Sequence, residues 1–151
     1  MRTVAGWTVA IVVTAGPALV AAADYDPCQN RAPRRIAIVY ARSSGIIAGD
    51  GECKGSVHPA KKTVCSGDMV EWSVINTCDV EEIAGIRLDG LDRVTEGCTV
   101  VRRLAVGGAA QIRCRIRRGM RENVKQEYDV SGRVGKSRQI VDPELDIRRP
   151  D

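Results

Sequence analysis

The sequence predicts an all-β sandwich of about seven to eight short strands, held by disulfides. Three observations carry this. Apolar residues alternate with polar ones in several short runs, as in Val70, Trp72 and Val74 or Ile112, Cys114 and Ile116. Gly, Pro, Asn and Asp punctuate those runs, and no segment holds an apolar stripe of helical period over a window of about eleven residues. Six cysteines accompany a chain with no Phe, whose core must rest on Val, Ile and Leu with Trp72, Tyr40 and Tyr128.

The elements follow in chain order. Arg2 is the only charge in the first 23 residues, the apolar run Trp7–Val20 follows, and Ala21-Ala22-Ala23 supplies small residues for cleavage. That is the layout of a secretory signal peptide over residues 1–23. Gly16-Pro17 interrupts the run, which falls short of the roughly 20 apolar residues a membrane span needs. The expected product is exported, periplasmic or extracellular, and begins at Asp24. Losing Arg2 takes the 23 basic residues to 22 against 19 acidic ones, a net +3 that argues against nucleic acid as a partner.

Residues 24–56 read as an N-terminal extension with the first strands, forming one domain with a sandwich over 57–151. Ile36–Ala41 is the first strand, Ile46-Ile-Ala follows, and Gly49-Asp-Gly51 is a turn. Val57–Val64 is an edge-type segment, because Pro59 has no N–H for a ladder. Gly67-Asp68 makes a tight turn, with Gly accepting a positive φ and Asp bonding its own backbone. Met69–Asn76 is then a half-buried strand around Trp72. Ile83–Leu88 is a strand with Ile86 and Leu88 on one face, Asp89–Asp92 a turn, and Thr99–Val106 a further strand. Gln111–Arg117 alternates strictly, Val124–Val130 alternates around Tyr128, and Gly132–Lys136 turns the chain. Gln139–Val141 and Leu145–Ile147 bracket Asp142-Pro143.

All six cysteines, Cys28, Cys53, Cys65, Cys78, Cys98 and Cys114, follow the expected cleavage site. An even count in an exported domain favours disulfides. A thiolate metal site needs closer pairs, and the nearest two, Cys53 and Cys65, are twelve positions apart. Connectivity is open among many pairings. The expected bridge is Cys78–Cys98, whose members flank the segment after the Trp72 strand.

Val57-x-Pro59, Val64-x-x-Gly67-Asp68-x-Val70-x-Trp72 and Asn76 together resemble the opening of a cupredoxin-like domain. Tyr128-Asp-Val130 and Asp142-Pro-Glu-Leu-Asp-Ile147 resemble bacterial exported proteins of that class, so the likeness covers roughly residues 57–147. It implies a Greek-key sandwich. A working cupredoxin holds copper with two His, one Cys and a weak axial Met. The resemblance would place the first His just after the Asn76 loop, where this chain has Val80, Glu81 and Glu82. Cys114-x-x-Arg117-x-x-Met120 has the spacing of a short copper loop, but an arginine has no lone pair for a metal. His58 is the only histidine, so this polypeptide cannot build a two-His site; type 1 copper is excluded and no cofactor is expected.

His58 is a weak candidate for a lone metal ligand and reads better as a surface residue beside Pro59 and Lys61-Lys62. It lacks a Gly-x-Ser-x-Gly or comparable partner for triad chemistry. Glu81-Glu82 and Asp142, Glu144 and Asp146 offer carboxylates for acid–base work, but acids in turns are ordinarily solvated, and no catalytic residue is assigned. Arg113, Arg115 and Arg117 stand about 6.6–6.8 Å apart on one strand face. They are candidate anion-binding residues for an anionic polymer, a lipid surface or another exported protein. The competing reading is a solvated face that discourages edge pairing. The sequence therefore points to an exported, disulfide-stabilised binding or structural module. The alternatives are a periplasmic metal-handling or redox-accessory relative of cupredoxins and an enzyme without a recognisable motif.

Overall fold

A computed structural model of the chain describes residues 28–29, 32–42, 52–79 and 81–149. The expected leader, the Ile46-Ile-Ala segment and the Gly49–Gly51 turn lie outside the described residues. The described chain is all β, in strands β1 (Arg34–Arg42), β2 (Cys53–His58), β3 (Lys61–Cys65), β4 (Met69–Asn76), β5 (Ile83–Asp89) and β6 (Thr95–Glu96). They are followed by β7 (Val101–Leu104), β8 (Ala109–Ile116), β9 (Val124–Glu127), β10 (Asp129–Val134), β11 (Ser137–Val141) and β12 (Glu144–Arg148).

One layer is a five-stranded sheet in the order β2-β1-β4-β8-β6, with β1 and β4 parallel and the other neighbours antiparallel. The remaining strands form a four-stranded sheet, β11-β10-β5-β7, and a three-stranded sheet, β3-β12-β9. These two sheets share one long hairpin. β10 pairs with β11 and β9 with β12, and at the step between them Tyr128 N donates to Pro143 O at 3.1 Å.

Trp72 sits in the middle of β4, opposite Ile36 of β1 and Ile112 of β8, and is fully buried. Its Nε1 donates to the Tyr128 hydroxyl at 2.9 Å, and the two rings meet edge to face with centroids 6.1 Å apart. An aromatic pair so placed supplies the area a core without Phe lacks, and joins the five-stranded sheet to the step between the smaller ones. The turn before β4 forms as expected. Gly67 has φ +87°, Asp68 N donates to Cys65 O, and the Asp68 carboxylate accepts Cys65 N at 2.9 Å and Arg34 Nε at 3.0 Å.

Twelve described strands replace the expected seven to eight because several alternating runs change sheets midway. Val57–Val64 divides at a cis His58–Pro59 peptide, with β2 on an edge of the five-stranded sheet and β3 on an edge of the three-stranded one. Val124–Val130 divides at Tyr128. Thr99–Val106 shrinks to β7, while Thr95–Glu96 adds a short strand beside β8. Gly132 belongs to β10 rather than to the following turn, and glycine is needed there because a Cβ would collide with the Tyr40 hydroxyl.

Three disulfides join Cys28–Cys65, Cys53–Cys78 and Cys98–Cys114. The expected Cys78–Cys98 bridge is therefore wrong. After β4 the chain crosses the end of β1, where Thr77 N and Oγ1 both donate to Tyr40 O, and this delivers Cys78 to Cys53 at the start of β2. Thr99 N donates to Arg113 O while Thr99 Oγ1 accepts Arg113 N, so Cys98 runs beside β8 and meets Cys114.

Candidate functional site: two arginine faces

β8 presents its two faces as its alternation demands, with Ile112, Cys114 and Ile116 buried. On the outer face each of the three singled-out arginines is bonded within the chain. Arg113 lies opposite Glu71, and Arg35 lies opposite Glu71 from the other side, so β1, β4 and β8 place one carboxylate between two guanidinium groups. Glu71 Oε2 accepts Arg113 Nε at 3.0 Å, Oε1 accepts Gln111 Nε2 at 3.0 Å, and Arg35 Nε stands 3.9 Å away. Glu71 is buried, which this set of donors makes tolerable for a charged group. Arg115 donates to Gly67 O at 3.3 Å and Arg117 to Asp92 O at 3.1 Å, tying β8 to the turns on either side.

The other candidates are dispersed. His58 is exposed and lies 3.2 Å from Ser56 Oγ. Glu144 pairs with Lys61 at 2.6 Å and Asp146 with Arg148 at 2.8 Å, neighbours on β3 and β12. Glu81 lies 3.8 Å from Arg42 and Glu82 3.7 Å from Arg103. Among the described residues no three His, Cys, Asp or Glu side chains gather as a group able to hold a metal ion. Cys114, the cysteine with copper-loop spacing, is bonded to Cys98. A disulfide sulfur is not the thiolate that such chemistry uses.

A second arginine face lies on the four-stranded sheet. Arg102 and Arg103 belong there, on β7. Register sets Arg138 of β11 opposite Arg133 of β10, Arg133 opposite Ala84 of β5, and Ala84 opposite Arg103. β5 carries an extra residue here, since its pairing with β10 shifts between Ser131 and Arg133, and Gly85 occupies the bulge with φ +63°. A left-handed bulge position favours glycine, and the missing side chain leaves open space above it. Two adjoining hollows result. One, of about 280 Å³, is lined by Arg87, Ser131, Arg133 and Arg138 around Ala84 and Gly85. The other, of about 530 Å³, shares Ala84, Gly85 and Arg133 and adds Arg102, Arg103, Glu81 and Glu82. Sequence reasoning missed this face because its arginines come from different strands, and only the register draws them together.

No family model matches the chain, and no curated protein matches it. Among solved structures, a multicopper oxidase from Pediococcus acidilactici is similar at 8% identity with a TM-score of 0.42, over 77% of this chain and 25% of that one. Fet3p, a multicopper oxidase that functions in iron import, is similar at 8% identity with a TM-score of 0.37, over 76% of this chain and 27% of its own. The chain thus spans about a quarter of each. Likenesses this loose carry no argument about what this chain binds or does.

Proposed function

We propose that the chain is an exported, cupredoxin-like β-sandwich that acts as a binding module and has no type 1 copper chemistry. The observation that carries this reading is the fate of the cysteines. All six are bonded in pairs, and Cys114 is fixed to Cys98 where a copper loop would need a free thiolate. Disulfides at this density fit an oxidising compartment outside the cytoplasm, in agreement with the signal-peptide layout of residues 1–23. The Val57–Asn76 motif supplies the turn and strand of such a sandwich, and the sheet faces remain for contact with a partner.

Titration of the oxidised protein with Cu(II) tests it, read by visible absorption and by native mass spectrometry. The expected result is no thiolate-to-copper band and no stoichiometric metal. An intense band with one retained copper per chain would overturn the reading and favour a metal-handling protein.

A further inference from the structure

The two arginine faces differ in one respect. On the β8 face Arg113 is bonded to Glu71, and Arg115 and Arg117 to backbone carbonyls. On the β5–β7–β10–β11 face, Arg87, Arg102 and Arg133 make no hydrogen bond or ion pair through their side chains with any described residue. Arg103 and Arg138 have only loose partners, Glu82 at 3.7 Å and Asp89 at 3.9 Å, and Glu82 lines the larger hollow together with Glu81. Asp89 is also held by the Ser131 hydroxyl at 3.1 Å.

This arrangement opposes stability. Like charges directly across an antiparallel pair repel, and Arg133 and Arg138 are such a pair. The row from Arg138 to Arg103 crosses three strand intervals of about 4.8 Å, about 14 Å in all. Beneath it, Ala84 and Gly85 leave the floor without bulk, and five arginines line two hollows that share Arg133. Guanidinium forks match tetrahedral oxyanions bidentately, and an anion placed between them would remove the repulsion.

We propose that this depression binds a ligand carrying two tetrahedral oxyanions, phosphate or sulfate groups, with Arg133 shared between them. Arg87 and Arg138 would hold one group and Arg102 and Arg103 the other. The proposal rests on the reading of the chain as a binding module, and it names the ligand chemistry and the face. The same chemistry can come from a free diphosphate or from a sulfated polysaccharide.

Two arms separate these sources in low-salt buffer: calorimetric titration with inorganic pyrophosphate, and the salt needed to elute the protein from heparin. Each is run on the wild type, on Arg87→Ser/Arg133→Ser, and on Arg113→Ser/Arg115→Ser/Arg117→Ser. For a free ion, the wild type binds one pyrophosphate, the Arg87/Arg133 variant loses about tenfold or more in affinity, and the β8 variant keeps it within about twofold. For a polymer, only the heparin arm responds, and again the Arg87/Arg133 variant alone elutes at lower salt. Melting curves guard against a folding artefact. Without anion the Arg87→Ser/Arg133→Ser protein melts no lower than the wild type, and pyrophosphate or soluble heparin raises the melting temperature of the wild type and the β8 variant but not of the Arg87/Arg133 variant. The proposal is overturned if the wild type binds neither probe, or if binding survives loss of Arg87 and Arg133. Survival there with loss in the β8 variant moves the contact to β8 and leaves the binding-module reading standing. Failure of that reading shows separately, as a copper band in the metal titration.

Discussion

Tyr40 is held between two glycines, and this explains residues that look like ordinary turn signals. A Cβ on Gly55 would lie 3.0 Å from the ring, and one on Gly132 would meet the hydroxyl. Gly132→Ala should therefore cost about 1–3 kcal/mol by overpacking, measured by urea unfolding, although it lies in a strand where alanine is otherwise the better residue. Trp72→Ala should cost about 3–5 kcal/mol, and an unchanged midpoint would show that the ring is not buried against Tyr128. Burial pushes the Tyr40 phenol from its ordinary 10.0 up to about 12. Burial also raises Tyr128 to about 12, against the opposing effect of the hydrogen bond from Trp72. A raised value means that the native state holds its phenolic protons more tightly than the unfolded chain. Stability from this source is complete below about pH 10 and is lost as pH rises through about 12. Unfolding midpoints measured across that window should fall steeply, with phenolate absorbance of both tyrosines appearing together with unfolding.

The strands show what sequence patterns can and cannot carry. β8 was legible because Gln111 to Arg117 alternates strictly, and one face of Ile112, Cys114 and Ile116 has only one way to lie against a core. The step at Tyr128 was not legible, because Val124, Tyr128 and Val130 keep the same parity while the chain passes from one sheet to the next. The open arginine row was hidden for a related reason: Arg87, Arg103, Arg133 and Arg138 lie on four separate strands, and pairing register is written in no local pattern. The β8 arginines had a local signal, whereas their main partner, Glu71, lies 42 positions away from Arg113. That contact makes a prediction at the scale of paired strands. A double-mutant cycle of Glu71→Gln with Arg113→Ser should give a coupling of about 0.5–1 kcal/mol, modest because Arg113 is half exposed. A coupling of zero would return Arg113 to the pool of free surface charge.

At the scale of the whole molecule, the disulfides join segments far apart in the chain, with separations of 37, 25 and 16 positions. Cys28–Cys65 ties the start of the described chain to the end of β3, Cys53–Cys78 closes one edge of the five-stranded sheet, and Cys98–Cys114 fastens the segment after β6 to β8. That the cysteines pair was legible from their even number and wide spacing. Which ones pair was not, because order along the chain says little about which strand ends meet across a sheet. Each bridge contributes roughly 2–4 kcal/mol by restricting the unfolded chain, a large share for a core with no Phe. The most direct single measurement is the intact mass of the protein expressed in a secreting host with residues 1–23 in place, followed by non-reducing peptide mapping. A chain starting at Asp24, lacking the hydrogens of three disulfides and yielding the Cys28–Cys65, Cys53–Cys78 and Cys98–Cys114 peptides, is the predicted result. An unprocessed N-terminus, or a free thiol at Cys114 in the native protein, would contradict the view of this chain as an exported sandwich whose cysteines serve only its frame.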